Sequence, residues 1–538
     1  MREIGMSING KVLNVAPLDT IGINGLDSQT NPTALGATWF TKADNIVYTE
    51  GGKVTFRKGV KQMTLNGGAK IGAMVEHFDG TVNKIFGAIG ATIVEVDLTD
   101  KDNAFINSYT TGVSTSDWQF QNFNNEIIAV QSGADILHYH SGAWSLVKDH
   151  SGYTAPAGVT TFDPSCVLGY YGRVWAGGIT EEKDVLYYSD LLDTHKWSSG
   201  SAGGIDLKTV WGHDEIIAIH PYAGKLVIFG KENIIIYNNP SEPTDMVLDE
   251  VIRGIGCISR DSIQAIGNDL YFLSDTGVRS LIRTAESDKL PLKEISSTVK
   301  DEIISHVKAS RNVKSAYYYA EGLYLLSFVD RDVTYVFDIQ FLTEGREVPR
   351  VTKWTFAGDR HPASMLYSED YGLLIGQHLG RVARYTGYYD MDYSGSNVYV
   401  SNPYTGSLST VWMSLSPELE RASILKRLIM VISGGQGTDV GLRVYKDFEL
   451  SPKLSPTFRL NPSLSGLSSL WGTAKWKSSA VTPAWEDAKY APVHGLKEHS
   501  VPLSGSAKYL RLEMDGVTQG YKASLQSLAL LFKHGKTR

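Results

Sequence analysis

A hairpin signal that returns at nearly even spacing constrains the fold of this chain more than any other feature. In each copy, a turn centred on Gly, Asn or Asp precedes a short apolar strand rich in β-branched and aromatic residues. A fixed period of this kind is typical of solenoids, propellers and arrays. By subtraction, the copies lie 45, 47, 52, 44, 54 and 50 residues apart, and they begin at Gly80, Asn125, Gly172, Gly224, Asn268, Gly322 and Gly372.

Each repeat has the length of one propeller unit, because four short strands with their turns occupy about 40–50 residues. A second apolar strand follows each anchor at a similar offset, as at 91–96 after Gly80 and at 233–237 after Gly224. The sequence therefore predicts an all-β chain in which residues 66–390 form a β-propeller of six to eight blades, with seven preferred. Such a ring suits a chain of 538 residues, since each unit buries its faces only against its neighbours.

The segments that flank the ring have a different character. Residues 1–65 contain a hairpin signal at 43–59, where polar and apolar residues alternate about Gly51-Gly52, and we expect this N-terminal arm to form a platform or to close the ring. Residues 391–410 are rich in Tyr, Ser, Gly and Asn and are typical of a linker. Residues 411–538 predict an additional C-terminal β-sandwich-like domain with one long loop, 451–500.

One stretch departs from the β pattern. Between Ile295 and Val307 the apolar residues recur at helical spacing, and Ser296 or Ser297 precedes them as a candidate N-cap. The pattern predicts a short helix in a loop between two units of the ring. We expect it to pack over the edge of a unit, with a docking surface as the alternative.

Composition narrows the classes of function. The chain is 42% hydrophobic and 20% charged, as in folded proteins, and its net charge of −7 argues against a protein built to grip nucleic acid. Cys166 and Cys257 lie in separate repeats and predict structural thiols rather than a disulfide framework. The first residues have no apolar core of a signal peptide, and no apolar run is long enough to span a membrane, so we expect folding in a reducing cytoplasm.

Motifs that carry chemistry are missing from the sequence. It contains no phosphate-binding Gly-x-x-x-x-Gly-Lys-Ser/Thr loop, no Gly-x-Ser-x-Gly turn, no His-Glu-x-x-His helix and no EF-hand loop. His138 and His140 share one face of a strand, but a metal site would need further ligands from elsewhere, so polar strand residues are favoured. Asp390 and Asp392 are interpreted as a solvated turn rather than an acid/base pair. We therefore expect no catalytic residue, cofactor or metal, and no enzymatic activity.

Tryptophans are the remaining candidates for a binding surface. Trp471, Trp476 and Trp485 lie in the Lys/Ser/Pro-rich part of the long loop, and we expect them to anchor a partner, because buried aromatic residues are frequent interface hot spots. The tryptophans inside the repeats favour packing between units, with a sugar-stacking surface as the alternative. These residues are Trp144, Trp175, Trp197, Trp211 and Trp354.

Several segments resemble virion proteins of tailed bacteriophages. The hairpin at 45–59 resembles the opening of such proteins, and Tyr188–Trp197 followed by Gly204–Leu207 resembles a recurring propeller edge in the same group. The series over residues 25–390 is most similar to the tail nozzle proteins of short-tailed phages, which are also known as tail tube or packaged-DNA stabilisation proteins. The segments that carry this similarity are 216–237, 254–262 and 269–279.

The resemblance implies a structural role in the virion. It implies a β-propeller with platform domains, of which six copies form a ring below the portal and adaptor proteins. It also implies that the ring retains packaged double-stranded DNA, supports fibres or spikes and conducts DNA at ejection without sequence-specific binding. The protein would then be made in the host cytoplasm and be located in the tail. The family's long tip insertion has no obvious counterpart here unless residues 451–500 supply it.

Two other classes of function stay open on the sequence. The first is a carbohydrate-binding or carbohydrate-degrading propeller, which needs tryptophans and carboxylates clustered at one mouth of the ring. The second is a protein-interaction scaffold of cellular origin. If the nozzle hypothesis holds, deleting residues 411–538 should leave a soluble propeller that does not join particles, and its incorporation at the normal level would contradict the hypothesis.

Overall fold

The computed structural model describes residues 4–8, 11–18, 21–49, 53–281, 294–340, 348–416, 421–434, 438–460, 496–518 and 520–535. Within these ranges nearly all regular structure is β-strand, and the helices are short: α1 spans Lys208–Trp211 and α2 spans Lys300–Ala309. The all-β fold class predicted from the sequence is confirmed, with a β-propeller and additional C-terminal sheets.

The N-terminal segment contributes strands to three different sheets. These strands are β1 (Ile4–Ile8), β2 (Lys11–Pro17), β3 (Phe40–Asp44), β4 (Ile46–Tyr48), β5 (Val54–Phe56) and β6 (Val60–Gln62). The predicted hairpin is present, because β4 pairs with β5 in antiparallel register from Ile46 opposite Phe56 to Tyr48 opposite Val54.

The ring consists of consecutive antiparallel sheets, here called units 1 to 7. Unit 1 contains β7 (Ile71–Phe78), β8 (Asn83–Ile89), β9 (Thr92–Val96) and β10 (Phe105–Thr110). Unit 2 contains β11 (Gln119–Phe123), β12 (Glu126–Val130), β13 (Leu137–His140) and β14 (Ala143–Leu146). Unit 3 contains β15 (Cys166–Tyr170), β16 (Arg173–Gly177), β17 (Val185–Tyr188) and β18 (Gly203–Asp206).

The second half of the ring follows the same order. Unit 4 contains β19 (Ile216–Tyr222), β20 (Lys225–Gly230), β21 (Asn233–Asn238) and β22 (Val247–Arg253). Unit 5 contains β23 (Gln264–Ile266), β24 (Asp269–Ser274) and β25 (Gly277–Ser280). Unit 6 contains β26 (Val313–Tyr318), β27 (Leu323–Phe328), β28 (Val333–Asp338) and β29 (Arg350–Trp354). Unit 7 contains β30 (Pro362–Ser368), β31 (Gly372–Gln377), β32 (Val382–Tyr385) and the N-terminal β6.

Each sequence anchor lies at the turn between the first and second strands of a unit. At such a turn in unit 3, Tyr171 and Gly172 have φ angles of 49° and 69°, which is the left-handed geometry of a two-residue hairpin. Ala223 and Gly224 repeat this geometry in unit 4, with φ angles of 47° and 80°. Among the described residues, six units have four strands and one has three, so the number of units lies within the predicted range of six to eight.

The first and last units meet through the N-terminal segment. Strand β6 pairs with β32 from Gln62 opposite Ala383 to Val60 opposite Tyr385, and so supplies the outer strand of unit 7. Strand β30 of unit 7 packs beside β7 of unit 1, which completes the ring. Strands distant in sequence therefore join where the ring closes.

Unit 5 has three strands among the described residues, and helix α2 packs against its third strand, β25. Ile303 and Val307 on this helix are buried in the largest apolar core. The helix begins at Lys300, after a 3₁₀ turn at Ser297–Val299. The predicted serine cap is not formed, because Ser296 Oγ instead donates to Glu294 Oε1 at 2.8 Å and accepts from the Val278 amide.

The C-terminal strands form a β-sandwich that both ends of the chain complete. Strand β43 pairs with β2 on one side and with β37 on the other, so residues 14–17 lie beside residues 529–532. The strands after the ring are β33 (Asp390–Tyr393), β34 (Tyr399–Asn402), β35 (Thr405–Thr410), β36 (Met413–Ser414), β37 (Ser423–Gly434), β38 (Asp439–Lys446), β39 (Thr457–Arg459), β40 (Leu496–Pro502), β41 (Ser506–Ala507), β42 (Tyr509–Val517) and β43 (Ala523–His534).

The facing sheet of the sandwich is continuous with the ring. Strand β29 of unit 6 pairs with β3 in parallel at Lys353 and Asp44, and the order then continues through β35, β42 and β38 to β39. Strand β42 alternates buried and half-buried residues along its whole length, as expected of a strand with one face in the core. Because the two regions share this sheet, neither is a separate module.

The segment 391–410 differs from the predicted linker, because β33, β34 and β35 lie in it. Strand β33 pairs with β6 and extends the sheet of unit 7, while β35 pairs with β3 and β42 in the sandwich. Tyr, Ser and Gly at these positions serve close strand packing here rather than a flexible connection. For example, a Cβ at Gly406 would lie 2.3 Å from the ring of Phe56.

Candidate functional sites

The central channel of the ring is lined by the first strand of every unit. It contains a cavity of about 500 Å³ that opens to solvent. The lining includes Ala73 of β7, Gln119 of β11, Leu168 of β15, Ile219 of β19, Gln264 of β23, Ser315 of β26 and Ser364 of β30. Small and polar side chains therefore dominate the wall.

A charged network crosses this channel. Lys314 of unit 6 donates to Asp261 Oδ2 at 2.6 Å and also to Asp117, which precedes unit 2. Arg260 donates to the carbonyl oxygens of Asp117, at 2.6 Å, and of Ser165, which precedes unit 3. The network therefore ties units that are not neighbours in the ring.

The network favours the charged forms of Lys314 and Asp117. Burial alone lowers the pKa of Lys314, but the attraction of Asp261 and Asp117 outweighs burial and leaves the pKa above its ordinary value. Burial alone raises the pKa of Asp117, but Lys314 and Arg260 outweigh it and the pKa is lowered. Carboxylates neutralised in this way are poor general acids or bases at neutral pH.

A second polar site lies where the ring meets the sandwich, and we call it the Arg57 junction. Arg57 is completely buried, and its guanidinium contacts both oxygens of Asp390 at 3.3 Å. It also donates to Asn45 Oδ1 at 3.0 Å. The guanidinium carbon lies 4.3 Å and 4.0 Å from the ring centroids of Phe356 and Tyr404, so an aromatic side chain packs against each of its faces.

Asn45 links the same junction to both regions. Its side-chain amide donates to Thr355 of unit 6 at 3.0 Å and to the carbonyl oxygen of Thr405, the first residue of β35, at 2.9 Å. Asn45 has a φ angle of 55°, a left-handed conformation that Asn adopts more readily than most residues. The Arg57 junction therefore connects the N-terminal hairpin, units 6 and 7, and the sandwich.

The two aspartates on β33 are ion-paired. Asp390 is buried against Arg57, and its Oδ1 also accepts the Val60 amide at 3.1 Å. Asp392 pairs with Arg360, whose Nε lies 2.9 Å from Oδ1. The expected solvated turn is therefore wrong, because each carboxylate meets an arginine that the fold brings from a distant part of the chain.

A cluster of histidines lies between units 2 and 3. Glu126 begins β12, His138 and His140 lie on β13, and His195 lies in the connection between β17 and β18. His138 Nδ1 is 3.3 Å from His195 Nε2 and 3.8 Å from Glu126 Oε2. One ligand atom from each of Glu126, His138 and His195 lies within 4.8 Å of the other two.

Neighbouring groups orient this cluster. His140 Nδ1 lies 2.7 Å from Glu126 Oε1, and the ring of His150 stacks on His195 with centroids 3.7 Å apart. Burial lowers the pKa of His195, and the nearby His150 and His138 lower it further. Burial alone raises the pKa of Glu126, but hydrogen bonds from His138, Thr194 and His140 outweigh it and lower the pKa.

Sequence analysis singled out only two residues of this cluster as candidates, His138 and His140. His138 and His140 were visible because a strand places alternate residues on one face. Glu126 and His195 carried no signal, because their proximity depends on how unit 3 packs on unit 2. Lys314 and Arg57 were missed for the same reason, although Arg57 lies inside the hairpin that carries the family resemblance.

The tryptophans of the repeats are core residues. Trp144, Trp175, Trp197, Trp211 and Trp354 are all buried, and Trp354 stacks on Tyr385 of unit 7 with centroids 5.0 Å apart. They offer no surface for stacking sugars. Trp471, Trp476 and Trp485 lie outside the described residues. The strands that flank them, β39 and β40, form the edges of the two sandwich sheets, where Phe458 and His499 stack at 4.9 Å.

Both cysteines are buried and free. Burial raises the pKa of Cys166 and of Cys257 to about 12. A thiol with such a pKa is protonated at neutral pH and is a weak nucleophile.

Exposed apolar side chains concentrate on one face of the ring. In an antiparallel unit, the turn between strands one and two and the turn between strands three and four emerge on the same face. The large exposed apolar residues at these turns are Phe78, Val82, Tyr171, Leu191, Leu192, Val247, Leu248 and Tyr319. We treat this face as a candidate contact surface.

Comparisons with known proteins give no family for this chain. No family model and no curated protein matches the chain. Among solved structures, YCF48 bound to D1 peptide is similar to it with a TM-score of 0.37 and 13% identity, covering 65% of this chain and 99% of that one. The Cps50 (Swd1) β-propeller domain of Myceliophteria thermophila is similar with a TM-score of 0.37 and 12% identity, covering 63% and 99%.

In the part of the chain that the structure describes, no helix has the length and apolarity needed to cross a membrane.

Proposed function

We propose that this chain is a structural subunit of a short-tailed bacteriophage tail. In this proposal six copies form a nozzle ring below the portal and adaptor proteins. The ring retains packaged double-stranded DNA, supports fibres or spikes, and conducts the DNA at ejection. The resemblance of residues 25–390 to nozzle proteins motivates the proposal.

The Arg57 junction is the observation that supports it most. A nozzle subunit bears the load of packaged DNA, so its domains must not move independently. Arg57, Asn45 and Asp390 fix the ring to the sandwich with buried hydrogen bonds, and the sheet that runs from β29 through β3 to β35 continues across the same boundary. Rigid coupling of this kind suits a scaffold rather than a hinged enzyme.

The chemistry of the channel also favours a structural role. Lys314 and Arg260 offset the charges of Asp117 and Asp261, and the thiols of Cys166 and Cys257 are buried in the core. The charged network crosses the channel of each subunit's propeller. In the proposed assembly, DNA therefore passes between the six subunits rather than through the propeller of one of them. A net charge of −7 suits a conduit that phosphate groups pass without adhering.

Assembly into a closed ring requires two different contact surfaces on each subunit, because cyclic interfaces are heterologous. The apolar face of each subunit's propeller offers one such surface. The edge of the sandwich at β39 and β40 offers another, and the partner-anchoring role proposed for Trp471, Trp476 and Trp485 falls in the segment between these strands.

Quantitative peptide mass spectrometry of purified particles tests the proposal. The expected result is about six copies per particle, the number for one closed six-membered ring. Absence of the chain from particles would contradict the proposal. Sugar binding or release of reducing ends by the purified protein would instead favour the carbohydrate-active alternative, which the burial of the five repeat tryptophans disfavours.

A further inference from the structure

We propose that Glu126, His138 and His195 bind a Zn²⁺ ion that clasps unit 2 of the ring to unit 3. The site is independent of the proposed virion role, since it depends only on groups inside one subunit. Two imidazole nitrogens and a carboxylate oxygen form a donor set that zinc takes in proteins.

The nitrogen separation fits tetrahedral coordination. Two ligands at about 2.0–2.1 Å from a tetrahedral zinc lie about 3.3 Å apart, whereas neighbouring ligands of an octahedral ion lie about 3.0 Å apart. His138 Nδ1 and His195 Nε2 are 3.3 Å apart. Glu126 Oε2 is 3.8 Å from His138 Nδ1 and needs to approach by about 0.5 Å, which a small rotation of its flexible side chain supplies.

The hydrogen-bond partners of the two histidines allow His195 Nε2 and His138 Nδ1 to bind a metal ion. Asp193 Oδ1 lies 3.4 Å from His195 Nδ1, so a proton held there leaves a lone pair on Nε2. Ser145 Oγ lies 2.8 Å from His138 Nε2 and can accept a proton held there, which leaves a lone pair on Nδ1. A carboxylate that holds the outer nitrogen of a histidine ligand is a recurrent feature of zinc sites.

The third ligand is oriented as well. Thr194 Oγ1 donates to Glu126 Oε2 at 3.0 Å, which points that oxygen towards the two histidines. His138 and His195 are 3% and 8% exposed, so they are held by the surrounding core rather than on a mobile surface. The geometry is therefore largely formed before an ion binds.

The ion would add a cross-link between two units that already share an apolar core, which includes Ile128 of unit 2 and Val174 of unit 3. Glu126 and His138 lie on strands of unit 2, and His195 lies in a connection of unit 3. This connection pairs with the segment after unit 2, where the Thr154 amide donates to the His195 carbonyl oxygen at 3.0 Å and the Trp197 amide donates to the Thr154 carbonyl oxygen at 3.0 Å. A metal ion at this place would link the connection of unit 3 that contains His195 to the strands of unit 2 that contain Glu126 and His138.

His140 and His150 border the remaining coordination position. His140 contacts the second oxygen of Glu126, and His150 stacks on His195. With one of these imidazoles or a water as the fourth ligand, the donor set is nitrogen and oxygen only. Such a set suits Zn²⁺ better than Ca²⁺ or Mg²⁺, which prefer oxygen donors.

The test uses the full-length protein after treatment with a chelator and dialysis. Equilibrium dialysis against ZnCl₂, with metal quantified by mass spectrometry, should give one Zn²⁺ per chain. X-ray absorption of the zinc-loaded protein should show nitrogen and oxygen ligands, including imidazole, at about 2.0–2.1 Å. A stoichiometry far below one per chain would overturn the proposal.

Variants separate this site from adventitious binding by other histidines. His195→Asn and Glu126→Gln should weaken zinc binding at least 100-fold, and Asp193→Asn should weaken it about 10-fold by releasing the orientation of His195. His77→Asn is the matched control: His77 is also buried in the ring, but its Nδ1 contacts Asn122 at 2.8 Å, and zinc affinity should change less than twofold.

Folding of each variant is checked by circular dichroism and thermal melting. If His195→Asn fails to fold, the zinc affinity of Asp193→Asn tests the proposal instead. Asp193 is partly exposed at the surface, so we expect its substitution to leave the fold intact. Equal zinc affinity of Asp193→Asn, Glu126→Gln and the wild-type protein would overturn the proposal. Zinc should also raise the melting temperature of the wild-type protein and of His77→Asn, but not that of Glu126→Gln.

Discussion

The ring and the sandwich of this protein are built from opposite kinds of strand pairing. In the ring, neighbouring strands are mostly consecutive in sequence, as in the order β19, β20, β21, β22 of unit 4. In the sandwich, β43 lies between β2 and β37, so the two ends of the chain pair directly. Local pairing produces a sequence repeat, whereas non-local pairing leaves almost none.

This difference indicates that the sandwich needs the ring in order to form and is not an independent domain. The ring brings β3, β5 and β35 into position, and these strands then pair with the C-terminal strands. The following predictions test that dependence, from the largest expected effect to the smallest.

The largest effect is expected from removing residues 411–538. The deletion takes away β43 and β42, the pairing partners of β2 and β35, and uncovers apolar residues such as Phe40 and Leu408. We expect an insoluble product on expression, measured as the soluble fraction, and not the soluble propeller that a separate C-terminal domain would leave. A soluble, folded 1–410 fragment would contradict the shared sheet.

A matched change keeps every described strand of the sandwich. Replacing residues 461–495 by a short Gly/Ser linker leaves β39 and β40 intact, and Phe458 and His499 on these strands stack only 4.9 Å apart. We expect a soluble protein with wild-type circular dichroism that fails to assemble into particles, because Trp471, Trp476 and Trp485 are gone. Assembly at the normal level would contradict the anchoring role of these tryptophans.

The Arg57 junction should give the next largest effect. Arg57→Met leaves Asp390 buried without its partner, and loss of one member of a buried ion pair costs about 3–5 kcal/mol. The free energy of unfolding in urea measures this loss. The double variant Arg57→Met/Asp390→Asn should recover part of it, because the uncompensated buried charge is gone.

Lys58→Met is the control for the junction. Lys58 is the next residue in sequence, but its partly exposed amine pairs with Glu321 at the surface, and such pairs contribute about 0–1 kcal/mol. Equal destabilisation by the Arg57 and Lys58 substitutions would mean that the junction does not couple the two regions.

A smaller, pH-dependent effect is expected at Asp338, at the end of β28. Burial raises the pKa of Asp338 to about 6, although Arg350 lies 3.6 Å away. Since the folded pKa lies above the unfolded value of about 3.9, the stability from this group is complete below about pH 4 and is lost as pH rises through 6.

Asp338→Asn should therefore change the slope of stability against pH. Between pH 4 and 7.5, the wild-type protein should lose about 2–3 kcal/mol of unfolding free energy relative to the variant, since the shift is about two pKa units. Urea unfolding at several pH values measures this difference. Parallel curves of unfolding free energy against pH for the wild-type protein and Asp338→Asn would contradict this prediction.

The smallest effect is expected from a surface pair within the ring. Lys225 on β20 and Asp249 on β22, the strands on either side of β21 in unit 4, lie 2.5 Å apart, and both side chains are about one-third exposed. Lys225→Ala should lower the free energy of unfolding by at most about 1 kcal/mol. A loss as large as that of Arg57→Met would mean that surface pairs, not the junction, hold the ring.

The sequence predicted the ring well because each unit repeats a local pattern. Gly172 and Gly224 mark turns whose positive φ angles suit glycine, and the strands beside them are apolar runs. The division at 391–410 was less accurate, because the residues of β33 and β35 resemble loop residues and acquire strand structure only from their partners. Asp390 and His195 could not be assigned, since Arg57 and Glu126, their neighbours in space, are distant in sequence.

Native-state hydrogen exchange tests the coupling of ring and sandwich most directly. Amide exchange of β43 in the sandwich and of β20 in the ring is followed in rising denaturant below the unfolding transition. The account predicts that both strands open with the same free energy in the wild-type protein, as parts of one cooperative unit, and separately in Arg57→Met. Separate opening in the wild-type protein would contradict the account.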